Sequence, residues 1–312
     1  MLRGQQKMVP DKPHWLKKRL QIDSSARKVE HELISNRLHT ICQEACCPNQ
    51  GECFSRGVAT FLIMGNICTR NCSFCAVKSG RPDHLDPDEP LRLAHELNEL
   101  DLRFVVVTSV TRDDLPDGGA IHFANTIRMI KEKCSGVGIE VLVPDFEGSR
   151  SALGCIISEA PEVLNHNVET VPRLYPLVRP KADYERSLRL LEMGKKMKDS
   201  LITKSGLMVG LGETENEVKQ VMLGLRDADC DVLTIGQYLC PSPLHYPVAE
   251  YLRPEIFNEY AKIALSIGFK AVASFPFARS SYAAEEFYKR AIEASSRQSQ
   301  TVVDTHEGNR LC

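Results

Sequence analysis

From residue 60 onward, short β-branched runs alternate with longer stretches whose apolar residues recur at helical spacing. This is the pattern of βα units, in which each strand is buried and the helix after it covers one face. The runs predict strands at ATFLIM (59–64), RFVVVT (103–108), IEVLV (139–143), EVLNHN (162–167), TKSGLMVG (203–210) and DVLTIG (231–236). Between them, Leu93, Ala94, Leu97 and Leu100 form one helical stripe, and Val218, Val221, Met222 and Leu225 another. At that period such residues are core positions. The run GKKMKDS (194–200) reads as a solvated helix end, where cations suit the dipole. A further helix in RPEIFNEYAKIALSIG (253–268) precedes a short strand AVASF (271–275), and polar composition predicts a loose tail beyond about Ser295. The fold class is α/β, a partial parallel (β/α)6 barrel over residues 59–275. A cysteine-rich extension (1–58) precedes it and a C-terminal helical extension (276–312) follows.

Reactive groups of parallel barrels sit on loops at the C-terminal ends of the strands, where strand ends and helix N-termini converge. The loop after the first strand begins at Gly65 and contains CTRNCSFC. That draws attention to sulfur. Of the 12 cysteines in 312 residues, seven fall between positions 42 and 75, against about 1.3 for an even spread. The N-terminus, MLRGQQKMVPDKPHWLKKRL, has no apolar core of a secretory signal, and no segment is long enough to span a bilayer. The expected compartment is cytoplasmic, where dense cysteines serve metal or redox chemistry rather than disulfides. With 39 Lys plus Arg against 41 Asp plus Glu, the chain lacks the basic excess of a nucleic-acid binder. Neither nucleic acid nor membrane is expected as a partner.

Cys68, Cys72 and Cys75 offer three thiolates from one short loop, enough to hold three irons of a 4Fe-4S cube and leave the fourth open to a ligand. A zinc ribbon would show paired C-x2-C knuckles, and only the 72/75 pair has that spacing. Buried structural thiols are a poor account of three cysteines within eight residues on a loop. The first knot, CQEACCPNQGEC, carries four thiols at Cys42, Cys46, Cys47 and Cys53. Spacing alone leaves open whether 42/47/53 or 42/46/53 is the ligand triad.

CxxxCxxC with an aromatic before its last cysteine, placed after the first strand of a βα barrel, resembles the radical S-adenosylmethionine superfamily. The resemblance narrows to the lipoyl synthases over TICQEACCPNQGECFSRGVATFLIMGNICTRNCSFCAVKSGRP. Further matches are KPHWLKKRL, VVVTSVTRDDLPDGGAIHFA (105–124), LNHNVETVPRLYPLVRP (164–180), KSGLMVGLGET (204–214), DVLTIGQYL (231–239) and ARSSY (278–282).

The resemblance implies two 4Fe-4S clusters and S-adenosylmethionine as cofactors. The open iron of the second knot would chelate S-adenosylmethionine, whose reductive cleavage gives a 5'-deoxyadenosyl radical, and Phe74 would pack near cluster and adenine. In the family the second ligand of the first knot directly precedes Pro-Asn, as Cys47 precedes Pro48 and Asn49. The implied auxiliary triad is therefore Cys42, Cys47 and Cys53, with Cys46 a bystander. A serine of Arg279-Ser280-Ser281-Tyr282 would complete that cluster, Ser281 being favoured over Ser280; the alternative for this run is a helix N-cap. The implied reaction inserts sulfur at C6 and C8 of a protein-bound octanoyl chain, consuming the auxiliary cluster. Thr108, Ser109, Asn165 and Arg179 are expected to line the S-adenosylmethionine site, although Thr108 and Ser109 could instead satisfy backbone groups.

Implied partners are octanoylated lipoyl-domain carriers, namely 2-oxoacid dehydrogenase E2 subunits and the glycine cleavage H protein, and an electron donor such as ferredoxin or flavodoxin. The chain departs from the family pattern at Phe54, where Trp is usual, at Asn66, where Asp is usual, and at Pro243 and Leu244, where a basic residue commonly follows Pro-Ser. Rival readings are another sulfur-inserting radical enzyme, such as a tRNA methylthiotransferase, and a non-catalytic iron-sulfur electron carrier. The first would need an RNA-binding appendage and a basic surface, the second neither an open iron nor a barrel. Cys134, Cys155, Cys230, Cys240 and Cys312 receive no role, and most of them read as buried or tail thiols.

Overall fold

A computed structural model of the chain describes residues 11–18, 24–55, 58–100 and 102–308; Cys312 lies outside them. Ten strands follow in chain order: β1 (His39–Thr40), β2 (Thr60–Ile63), β3 (Ile67–Cys68), β4 (Lys78–Ser79), β5 (Phe104–Ser109), β6 (Gly138–Leu142), β7 (Val163–Asn165), β8 (Ile202–Val209), β9 (Val232–Gln237) and β10 (Ala271–Ser274). Eight form one sheet in the order β1-β2-β5-β6-β7-β8-β9-β10, and β3 and β4 form a separate pair. Apart from β1, which runs antiparallel to β2, every neighbour in the large sheet is parallel. The six strands read from the periodicity are the six from β2 to β9 in this sheet. The short AVASF run extends the sheet as its seventh parallel member, leaving β1 and β10 as open edges.

The helices are α1 (Ser24–Ser35), α2 (Ile41–Glu44), α3 (Gln50–Ser55), α4 (Glu89–Glu99), α5 (Ala120–Lys133), α6 (Arg150–Ser158), α7 (Tyr175–Val178), α8 (Tyr184–Met197), α9 (Glu215–Asp227), α10 (Pro254–Ser266) and α11 (Ala284–Gly308). Leu93, Ala94 and Leu97 of α4 and Val218, Val221, Met222 and Leu225 of α9 are buried, as their spacing requires. The start of α9 is fixed by a capping box, in which Thr214 accepts from the Glu217 N–H and Glu217 accepts from the Thr214 N–H.

Strand alternation sorts side chains to two faces. Val105, Val107, Ile139, Val141 and Leu164 pack outward under the helices. Val163, Ile202, Val232 and Ala271 face inward and close the barrel floor against Phe287 and Ala291 of α11. The interior is thus apolar below, and its polar residues lie nearer the C-terminal strand ends.

Helix α11 runs from Ala284 to Gly308; no Gly or Pro interrupts residues 284–307, and Glu285–Lys289 and Glu286–Arg290 pairs brace its first turns. One expectation needs correction. In GKKMKDS, Lys195 is not a solvated end: only 12% of its side chain is exposed, and it bridges Asp231 at 2.6 Å and the Leu201 carbonyl at 2.6 Å. Among the described residues no helix is long and apolar enough to cross a membrane.

Candidate active site: two cysteine knots at the strand ends

The loop after β2 enters through β3 and leaves through β4. These two short strands pair in parallel, Ile67 with Lys78 and Cys68 with Ser79, and close CTRNCSFC at its base. The Cys68 Sγ accepts from the backbone N–H groups of Arg70 and Thr111, both at 3.4 Å. Arg70 is 7% exposed and lies between two cysteines of the loop. It donates Nε–H and Nη2–H to Asp113 at 2.8 and 2.9 Å, and Nη1–H and Nη2–H to Asp145 at 3.0 and 2.7 Å. One guanidinium therefore joins the cysteine loop to the loops after β5 and β6. Burial alone would raise the Asp145 carboxyl, but the hydrogen bonds and charge of Arg70 outweigh it and pull the group down to about 2. On the far side, Ser73 N–H donates to the Val178 carbonyl at 3.0 Å, and Tyr246 N–H donates to the Ser73 carbonyl at 2.7 Å.

Burial, then the neighbouring Cys72 and Cys68 thiols, push Cys75 up to about 12 against a backbone donor from Val77. Burial likewise pushes Cys72 up, against the pull of Arg179. Thiols crowded in this way resist ionising together, and iron reverses the balance by holding them as thiolates. N–H donors at Cys68 and Cys75 suit sulfur that carries negative charge, so the loop fits an iron-sulfur group. No three His, Cys, Asp or Glu side chains among the described residues converge on a single metal-ion position; a cube takes its thiolates on separate irons and does not need that convergence.

The first knot is built on two short helices. Thr40 caps α2, its Oγ1 accepting from the Gln43 N–H at 3.3 Å. Cys42 lies in α2, Cys53 in α3, and the Cys47 N–H returns to the Cys42 carbonyl at 3.0 Å. Burial, then the charges of Cys47 and Cys53, push Cys42 up to about 12, which puts the three thiols in one electrostatic neighbourhood. Cys46 is exposed, with φ at 51°, and turns the chain out of α2 in the left-handed region.

The C-terminal segment is fastened to this knot. Asn49, 1% exposed, donates to the Phe277 carbonyl at 2.8 Å. Tyr282 donates its hydroxyl to Glu52 at 2.9 Å. Lys18 donates to Asn49 at 2.9 Å and to Glu52 at 2.6 Å while standing 5.4 Å over the Phe277 ring. Two glycines make room for the approach: a Cβ on Gly206 would lie 2.5 Å from Ser280 Oγ, and one on Gly236 would lie 2.1 Å from the Ala278 carbonyl oxygen. Ser280 donates to Asn167 at 2.8 Å, whereas the half-buried Ser281 hydroxyl makes no hydrogen bond among the described residues. Neither serine caps a helix, since α11 starts at Ala284 behind Ala283, whose φ is 50°.

Between the knots, Thr108 donates to the Leu142 carbonyl at 2.9 Å and so ties β5 to β6. Ser109 Oγ, Asn165 Oδ1 and Arg179 Nε are buried without a partner. A native fold leaves such atoms unpaired where a ligand or ordered water satisfies them. Their donor and acceptor set suits a zwitterion with hydroxyl groups, and in that sense they fit S-adenosylmethionine. Arg179 is anchored through Nη1–H to the carbonyls of Asn167 and Val168 at 2.9 and 3.1 Å, leaving Nε free. Phe74 packs against the hydrophobic cluster under α9 and α10.

Sequence reasoning missed Asn167, Glu169 and Arg279. Asn167 donates to Glu169 at 3.0 Å. Burial raises the Glu169 carboxyl against the pull of Arg179, Asn167 and Arg279. The signal was the polar residue at every second position in LNHNVET, which carries the β7 alternation on into the loop. At the departures, Phe54 is buried in the core, and Asn66 donates to Glu44 at 3.1 Å, a bond that an ionised Asp could not make. Leu244 is 95% exposed, on a loop whose His245 donates to the Cys75 carbonyl at 3.1 Å.

Comparison with known proteins bears on most of the chain. The model of the radical SAM superfamily matches residues 62–223. A lipoyl synthase of Caldicellulosiruptor saccharolyticus is 57% identical over 282 residues, 90% of this chain and 99% of that one. A lipoyl synthase of Caldanaerobacter subterraneus is 58% identical over 278 residues, 89% and 97% of the two chains. Among solved structures, methylornithine synthase superposes with a TM-score of 0.52 at 15% identity, over 82% of this chain and 80% of that one, a likeness of fold. The chain belongs to the radical S-adenosylmethionine superfamily and, within it, to the lipoyl synthase family.

Proposed function

We propose that the protein converts protein-bound octanoyl-lysine to lipoyl-lysine by inserting sulfur at C6 and C8, with Cys68, Cys72 and Cys75 holding one 4Fe-4S cluster and Cys42, Cys47, Cys53 and Ser281 the other. The observation that carries this assignment is the fastening of the Phe277–Tyr282 segment to the first knot through Asn49 and Glu52. It supports the reading because the segment that carries the Ser281 hydroxyl is tied to the segment that carries the three thiols. When bound, reduced cluster and S-adenosylmethionine supply a carbon-centred radical, the tool required for C–H bonds that offer no leaving group and no acidic proton.

The protein's own residues then bind, orient and exclude water. Arg179 Nε, Asn165 Oδ1 and Ser109 Oγ receive S-adenosylmethionine, and Phe74 covers the second knot. Ser281 is a hard oxygen donor among soft thiolates, a weak ligand suited to a cluster that must release sulfide. Residues 1–58 carry the auxiliary ligands, 59–275 the barrel and 276–312 the closing serine. The octanoylated carriers are E2 subunits of 2-oxoacid dehydrogenases and the glycine cleavage H protein, the electron donor is a ferredoxin or flavodoxin, and the compartment is the cytoplasm. The assignment is tested by iron analysis after anaerobic reconstitution. Two cubes on six thiols require about eight irons per chain, and a value near four would overturn the two-cluster reading.

A further inference from the structure

Inside the barrel, just above the apolar floor, lies a buried ion pair that the ligand assignments leave unused. Glu140 on β6 and Lys204 on β8 are 0% and 2% exposed, and the Lys204 ammonium donates to both carboxylate oxygens at 3.0 and 2.9 Å. Asn165 on β7, the strand between them, is fully buried and donates Nδ2–H to Glu140 Oε1 at 2.7 Å. A carboxylate can only accept, so it decides which way the amide faces: nitrogen toward Glu140, Oδ1 away from it. That Oδ1 is the buried atom without a partner. Lys204 secures the arrangement by giving Glu140 a counter-charge.

We propose that Glu140 and Lys204 are positioning residues that lock Asn165 as a hydrogen-bond acceptor for an N–H or O–H donor of a bound ligand. This proposal deepens the ligand assignment above and rests on it. A locked acceptor rejects an acceptor in its place and selects a donor. Two donors are at hand: the ammonium or a hydroxyl of S-adenosylmethionine, and the amide N–H of octanoyl-lysine. The inward register shared by Asn165, opposite Leu142 on β6 and Lys204 on β8, puts the acceptor at the strand end rather than on the floor, on the side of the barrel where Ser109 and Arg179 leave polar atoms unpaired.

The test uses reconstituted full-length protein and three variants: Asn165→Leu, which removes the acceptor and spares the ion pair; Glu140→Gln, which leaves the amide free to turn; and Glu140→Gln/Lys204→Met, which removes both charges. S-adenosylmethionine is titrated against the spectrum of the reduced cluster, and KM for an octanoyl-lysine peptide is measured separately. Loss of a hydrogen bond to a buried group predicts binding weaker by about 10-fold. The expected result is that loss in one ligand for all three variants, with the other ligand and iron content little changed. The ligand affected identifies the donor. Asn165→Leu binding both ligands within twofold of the parent would overturn the proposal, as would Glu140→Gln/Lys204→Met doing so. If the parent protein itself failed to bind S-adenosylmethionine, the fault would lie in the cofactor assignment instead.

Discussion

Replacing Arg70 by Gln would test how the second knot is held. The guanidinium makes four hydrogen bonds of 2.7–3.0 Å to two carboxylates, and Asp145 has a side chain only 1% exposed. After substitution Asp145 keeps Arg186 at 3.2 Å and the Glu147 N–H at 3.1 Å. Breaking one side of a buried ion pair costs about 3–5 kcal/mol, because the remaining charge stays desolvated, and the surviving Arg186 places this case at the lower end. The loss should be visible as an earlier urea midpoint with unchanged m-value under anaerobic conditions. Arg70 stands between Cys68 and Cys72, so iron should also pass faster to a chelator from the second knot than from the first. Asp145→Asn added to Arg70→Gln should recover about half of the stability, since the uncompensated charge is then gone. A single-variant loss below about 1 kcal/mol, the range of exposed pairs, or equal iron loss from both knots, would refute this account of the clamp.

The two ligand choices in and beside the first knot separate cleanly. Cys46→Ser should leave iron content and turnover nearly intact and Cys46→Gly should do the same, since the position is exposed with a left-handed backbone, whereas Cys47→Ser should abolish sulfur insertion; equal damage at both would mean the wrong triad. Ser281→Ala should shift the spectrum of the auxiliary cluster, while Ser280→Ala, which removes only the bond to Asn167, should not; the reverse outcome would exchange the two roles. His166 is buried, its Nδ1 and Nε2 engaged with the Val143 carbonyl and Ser187 hydroxyl, and burial followed by the charge of Arg179 holds it down at about 4. Its stabilising contribution is complete above its ordinary value near 6.5 and is lost as pH falls toward 4, at up to about 1.4 kcal/mol per pH unit. Asp145 titrates below that window, but the raised Glu169 carboxyl acts within it with the opposite sign, so urea midpoints at pH 7.5, 6.0 and 5.0 are compared between the parent and His166→Gln; identical pH profiles for the two would refute it.

The barrel was legible because alternation and helical period repeat along the chain, and AVASF takes its place beside DVLTIG for the same reason. The cysteine ligands were legible because their spacing is local. What the sequence hid depends on distant contacts. Gly206 and Gly236 read as ordinary strand glycines, yet they let Ser280 and the Ala278 carbonyl approach the sheet. Arg70 reads as one polar loop residue, and only the fold brings Asp113 and Asp145 to it. Lys195 follows the same rule, since its partner Asp231 is 36 residues away.

The most direct test supplies reduced, reconstituted protein with S-adenosylmethionine and an octanoyl-lysine peptide from a lipoyl-domain carrier. The account predicts lipoyl product, with about two S-adenosylmethionine molecules cleaved per product, one for each C–H bond converted. Cleavage of S-adenosylmethionine with no sulfur entering the peptide would contradict it.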